Sequence, residues 1–243
     1  MPRSDDAGRL DWLLALQTPS RVLGWSLADW ERVVRLARRG RLLARLAHKL
    51  DDAGLTGGLP LPVQQHLLGE KRLSTARTNA VVWTIERIGA ALAGQGLPMV
   101  LLKGAAYIGQ DLPIARGRLP SDLDVLVPRA SLAACQAALQ AAGWQEVEMD
   151  AHDRAHYHEW SHEVPPMQHP LFEVELDLHH NILAPQRGRF LQVDLLLAHL
   201  QPSRWPGWQV LQPVDQVLHS AAHLFNDSEL RDRVRDQIGR AHV

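Results

Sequence analysis

A single cysteine, Cys135, stands in a chain of 243 residues. That excludes a disulfide framework and a zinc site built on thiolates. No apolar run reaches the roughly 18 residues that a membrane-spanning helix needs. The opening stretch MPRSDDAGRLDW has no apolar core and does not read as a signal peptide. Lysine is nearly absent: 23 of the 26 basic residues are Arg, and the others are Lys49, Lys71 and Lys103. Such a bias reflects genome composition, and it makes a lysine at a chemically suggestive position informative. A net charge of -1 excludes a polycation built to coat nucleic acid. The expectation is a cytoplasmic protein without a membrane partner.

What is present suits a globular chain: 46% apolar and 22% charged residues. The length fits one large domain or two small ones. Charge is uneven along it. Residues 1–95 hold 14 basic and 9 acidic residues, whereas residues 96–243 hold 12 basic and 18 acidic. Carboxylate chemistry is therefore expected in the second part.

Residues 1–95 read as an N-terminal helical region. Ser26 is a candidate N-cap for the stretch LADWERVVRLARRGRLLARLAHKL, in which Leu36, Leu43, Ala47 and Leu50 fall at helical spacing. The seven basic residues from Arg32 to Lys49, with no acid among them, are expected to form a solvated face. A nucleic-acid surface is the less favoured reading of that run. A second helix is expected over residues 63–92. The texture changes at Leu97. LPMVLLKG reads as a buried strand, AAYIGQDL as a short helix, DLDVLVP as a second strand, and RASLAACQAALQAAG as a helix capped by Gly143. LFEVELDLHHNI alternates, with Phe172, Val174, Leu176 and Leu178 on one face and Glu173, Glu175, Asp177 and His179 on the other. After it the chain is expected to return to helices. The boundaries expected are a core over 96–200, a C-terminal helical segment over 201–237 that is cut short, and an artefactual tail over 238–243. The tail, IGRAHV, resembles an in-frame translation of a sequencing adapter.

Asp122 and Asp124 open the second strand, and a period of two places both carboxylates on one face. Alone, acid-x-acid is weak, since Glu146/Glu148, Glu173/Glu175 and Glu175/Asp177 share it. The surroundings add weight. Lys103-Gly104 ends an apolar strand at a helix start, where glycine lets a phosphate approach the backbone and the helix terminus favours an anion. Arg116 and Arg118 lie in the loop before the carboxylate strand. Asp177 supplies a third acid from a separate strand. Three clustered carboxylates repel one another, so their pKa values should be raised without a cation. Such a set suits Mg²⁺, one or two ions, and phosphoryl or nucleotidyl transfer.

These segments, VLLKGAAYIG, RGRLPSDLDVLVPRASL and VELDLHHNI, together resemble the uncharacterised nucleotidyltransferase family of the DNA polymerase β-like nucleotidyltransferase superfamily. The Leu-Lys-Gly-Ala turn corresponds to Leu102–Ala105, the Arg-Pro-x-x-Asp-x-Asp strand to Arg118–Val127, and the Asp-Leu-His element to Asp177–His179. The likeness covers roughly residues 25–237. Two features depart from the wider superfamily: Ala105 follows Gly104, and the gap from Gly104 to Asp122 is long; a third departs from the family's Arg-Pro element, in that Leu119 separates Arg118 from Pro120.

The resemblance implies an α/β (α+β) fold, a small mixed sheet of nucleotidyltransferase type with flanking helices and an N-terminal helical region. It implies transfer of a nucleoside monophosphate from an NTP to an acceptor that the sequence does not name: a small molecule, a protein or an RNA. Asp122, Asp124 and Asp177 would be the catalytic and metal-binding acids, with Lys103, Gly104 and Arg118 on phosphate. The rival readings are a catalytically silent nucleotide-binding or interaction module and a metal phosphohydrolase.

His152, His156, His158 and His162 cluster, and read as surface and turn histidines rather than zinc ligands. His179, on the Asp177 face, is balanced between orienting a substrate and bonding within the sheet. His219 and His223 read as packing residues, because nothing acidic adjoins them in sequence. Arg235 and His242 imitate a ribonuclease motif, but His242 falls in the discounted tail. Trp12, Trp25, Trp30 and Trp83 are expected to pack helices. Packing is also the favoured reading for Trp160, Trp205 and Trp208, with base stacking the alternative.

Overall fold

A computed structural model describes residues 12–150, 161–184 and 191–226. His152, His156, His158, Trp160, Arg235, His242 and the 238–243 tail lie outside the described residues. The chain divides into two compact units. One holds the described residues up to Thr78 together with Arg116–Leu119, and the other holds Asn79–Ala115 and the described residues from Pro120 to Asn226.

The first unit is helical. Helix α1 (Leu27–Arg39) starts as expected at Ser26, whose hydroxyl accepts the Asp29 N–H while Asp29 Oδ2 accepts the Ser26 N–H. This reciprocal pair satisfies two amides that the helix itself leaves open. One continuous helix to Leu50 does not form. Gly40 ends α1, Arg41 turns with φ +54°, and the Leu42 N–H bonds back to the Ala37 carbonyl at 2.8 Å. Helix α2 (Leu43–Asp52) then begins anew. The break lets both helices turn their apolar sides to one core of Trp12, Trp30, Val33, Leu43, Leu46 and Leu50. Of the basic run, Arg35, Arg38, Arg39, Arg41 and Lys49 are exposed, as expected, but Arg45 is buried. Its backbone lies against Gly117, where an added Cβ would come within 2.7 Å of Arg45 N and Cα. Helix α3 (Leu61–Ala91) is the second expected helix, and it contributes its first part to this unit.

The second unit is built on a seven-stranded mixed sheet in the order β3-β4-β5-β2-β1-β7-β6. The strands are β1 (Met99–Leu101), β2 (Asp122–Leu126), β3 (Gln145–Glu146), β4 (Met167–His169), β5 (Phe172–His179), β6 (Gln201–Pro202) and β7 (Trp208–Val210). The fold is mixed α and β with N-terminal helices, as expected. The return to helices after β5 is only partial: β6 and β7 extend the sheet, and β7 runs parallel to β1. Short strands of two and three residues give too little alternation to read in sequence.

On one sheet face, Leu123, Val125, Leu176 and Leu178 pack with Val81, Ile85 and Ile88 of α3 and with Cys135 and Leu139 of α5 (Leu132–Ala141). Gly89 of α3 is required here, since a Cβ would stand 2.9 Å from the Trp208 indole nitrogen. On the other face a smaller cluster joins Val100, Leu102, Leu126, Ile182 and Leu211. It is flanked by Leu196 and Leu197 of α6 (Val193–Leu197). Between strands β1 and β2 comes α4 (Lys103–Gly109). The last described helix, α7 (Pro213–Asn226), is tied to this region by two bonds: Tyr107 Oη lies 2.8 Å from Ser220 Oγ, and Gln216 Nε2 donates to Gln110 Oε1 at 2.8 Å.

Candidate active site

Strands β2 and β5 pair in parallel, with Asp122 opposite Glu175, Asp124 opposite Asp177, and Leu126 opposite His179. Residues in register share a face, and adjacent strands lie about 4.8 Å apart. Asp122, Asp124 and Asp177 are thus gathered on the face that carries the smaller apolar cluster. Asp122 is exposed, Asp177 half-buried, and Asp124 is 4% exposed.

A buried carboxylate needs compensation, and Asp124 has two donors. Lys103 Nζ donates to its Oδ1 at 2.6 Å, and His179 Nε2 lies 3.0 Å from the same oxygen. Lys103 starts α4 with φ +45°, a conformation unusual outside glycine. That backbone turn leaves β1 and opens the helix within reach of β2, and the Leu102 N–H anchors it by donating to the Asp124 carbonyl. The N-terminus of α4 has no side-chain cap. The first-turn amides, Gly104 among them, are therefore of the kind that bind oxyanions.

The ionisation pattern corrects one expectation. The three acids were expected to share raised pKa values. Burial does push Asp124 up, but the Lys103 ammonium and the His179 hydrogen bond outweigh it, and its pKa falls well below the usual carboxylate range. Lys103 in turn is lowered by burial but raised, on balance, by Asp124. Asp177 behaves as expected. Burial, then Asp124, then Glu163 lift it to about 7. The sequence separates Lys103 from Asp124 by 21 positions, so only the fold reveals the pairing.

Around this core lie groups that sequence did not assign to it. The backbone of Glu163 bridges to His179, the Val164 N–H bonds to the Leu178 carbonyl, and the His180 N–H bonds to the His162 carbonyl. Glu163 Oε2 is 3.3 Å from His179 Nδ1. Nothing in the periodicity of 161–166 marks that glutamate. His219, read as a packing residue without acidic neighbours, is 2% exposed on α7. Its pKa falls to about 3 through burial and then the Lys103 and His179 charges, with Asp124 opposing. Trp208 is buried packing, as expected, whereas Trp83 is 43% exposed and meets Phe172 edge-on.

Arg118 falls in the other compact unit. There its carbonyl accepts the Ser74 hydroxyl at 2.9 Å, and its charge lowers the pKa of Arg45 after burial has done so. Arg116 pairs with Asp52 in the same unit, at 2.8 and 2.9 Å.

The donor set fits a hard divalent cation. The acids are oxygen ligands on one face, and among the described residues both donors to Asp124 use Oδ1 rather than Oδ2. A cation would also relieve the burial and repulsion that raise Asp177.

No curated protein and no solved structure matches the chain. One family description does, and it spans residues 26–236, from the Ser26 cap through Lys103, the paired acids and α7. The acids, the lysine turn and the helices on either side of them all fall inside that span, and on it the chain belongs to the uncharacterised nucleotidyltransferase family.

Proposed function

We propose that the chain transfers a nucleoside monophosphate from an NTP to an acceptor nucleophile, with Asp122, Asp124 and Asp177 as its working acids. The observation that carries this reading is the in-register placement of Asp124 against Asp177, with Asp122 two residues earlier on the same face. Family membership supports nucleotidyl transfer in general.

In this reading the three acids hold Mg²⁺. The ion supplies charge neutralisation for the attacking and leaving oxygens when bound. Lys103 holds Asp124 ionised, and its remaining N–H donors face phosphate oxygens. The α4 first-turn amides at Gly104 bind phosphate through aligned N–H dipoles. Asp177 completes the set and helps deprotonate or orient the acceptor group, which would attack the α-phosphorus as the α–β phosphoanhydride bond breaks and pyrophosphate leaves.

The silent nucleotide-binding module stays as a second reading for one reason. The Lys103 ammonium already neutralises Asp124, as a cation would. Incubation with α-labelled NTP, Mg²⁺ and cell extract separates the two. Label on an acceptor, lost in Asp122→Asn, supports transfer; bound but unreacted NTP supports the silent module; release of phosphate or pyrophosphate without an acceptor supports hydrolysis.

A further inference from the structure

We propose that His162, Glu163 and His179 form a second metal site, selective for a transition ion of the Zn²⁺ class, beside the three acids. Each residue offers one ligand atom, and the three atoms lie within 4.8 Å of one another. The backbone fixes two of them, because Glu163 and His179 are bridge partners on adjacent extended segments. The His162 and His179 rings sit 5.3 Å apart between centroids.

The carrying observation is His179. Its ring is fully buried, and its two nitrogens have different surroundings. Nε2 lies 3.0 Å from Asp124 Oδ1, whereas Nδ1 makes no hydrogen bond among the described residues although Glu163 Oε2 is 3.3 Å away. If Nε2 carries the proton and donates it to Asp124, Nδ1 presents a lone pair toward a carboxylate oxygen. Two lone pairs at that distance repel unless a positive centre lies between them. An orphaned buried nitrogen of this kind calls for an explanation. A metal ion supplies one, and Asp124 then acts as the carboxylate that orients a ligating imidazole through its other nitrogen.

Geometry and donor type both point to zinc rather than magnesium. Bonds of about 2.0–2.1 Å in a tetrahedral shell place ligand atoms about 3.3 Å apart. The His179 to Glu163 separation is 3.3 Å, and His162 Nε2 is 4.0 Å from the same Glu163 oxygen. His162 therefore closes by roughly an ångström to complete the shell. Two imidazoles and one carboxylate are softer than the all-oxygen set of Asp122, Asp124 and Asp177. Three protein ligands leave one tetrahedral position for water or a substrate oxygen.

The site stands independently of the transferase reading, and its test uses the metal alone. The full chain is stripped with chelator, dialysed against Zn²⁺ with excess Mg²⁺, and analysed for bound metal. The expected result is one retained Zn²⁺ per chain. Glu163→Gln and His162→Ala should each weaken it at least ~10-fold, while Asp122→Asn should retain it. Both substituted side chains are partly exposed, and near-ultraviolet circular dichroism verifies that the variants fold. No retained Zn²⁺ overturns the proposal, as do unchanged affinity in both variants or displacement by Mg²⁺. Retained Zn²⁺ together with no label transfer would sink the transferase reading and leave this site standing.

Discussion

Asp124 and Asp177 face each other across two parallel strands, yet their ionisation runs in opposite directions. The difference is partnership. Asp124 has an ammonium and an imidazole on one oxygen, while Asp177 has burial and other carboxylates around it. Removing the Asp124 charge strands a half-compensated lysine. Asp124→Asn should therefore lower stability by about 3 kcal/mol, at the lower end for breaking a buried pair. Asp122 is exposed, so Asp122→Asn should cost under ~0.5 kcal/mol and, under the transferase reading, still abolish transfer. Urea titrations with parallel label-transfer assays check both; equal stability losses would refute the assignment of Asp124 as the buried anchor. The pH dependence follows from the same two groups. The folded pKa of Asp177 lies above its unfolded value of 3.8, so the native state holds the extra proton. Stability should then fall as pH rises from about 4 to about 7 and level off above it. Asp177→Asn should flatten that fall. Asp124 has the opposite sign: its contribution is present above its unfolded value of 3.8 and is lost in more acidic solution. Denaturation midpoints across this range, for wild type and Asp177→Asn, measure the slope.

Among the elements, α1 depends on its cap and the Arg116–Leu119 segment on one glycine. Ser26→Ala removes a hydroxyl that accepts the Asp29 N–H, and should cost about 1 kcal/mol. Gly117 has φ +80°, and its missing Cβ is filled by Arg45 backbone at 2.7 Å. Gly117→Ala adds both a disfavoured conformation and a backbone clash, so it should cost about 1–3 kcal/mol, more than the cap. Thermal denaturation ranks the two; the reverse order would contradict the close approach of Gly117 to Arg45.

For the molecule as a whole, protection against hydrogen exchange should be greatest in β1, β2 and β5. These strands have neighbours on both sides and apolar packing on their faces, whereas β3 and β6 are sheet edges. Exchange read by mass spectrometry over these segments tests the order. Under the transferase reading, Mg²⁺ at 100 times its dissociation constant should stabilise the folded chain by about 2.7 kcal/mol, and Asp122→Asn should lose that gain. A melting temperature unmoved between chelator and Mg²⁺ would count against the three acids as ligands.

Local signals were legible in the sequence because local physics sets them. The Ser26 cap, the glycine after α5, the apolar β1 and the period-two alternation of β5 each depend on residues a few positions apart. The Lys-Gly turn and the Asp-x-Asp strand were legible too, and with them the family. What the tertiary structure decided are the meetings of distant residues. The long helix divided at Gly40 because two short helices can share one core. Strands β6 and β7 are too short to announce themselves and exist through their ladder partners. Lys103 came to Asp124, and Glu163 to His179, through strand register that no spacing encodes. That register is also why one carboxylate of the site is held ionised while its neighbour keeps a proton near neutrality: a pKa follows from what surrounds a group in space, not from what precedes it in the chain.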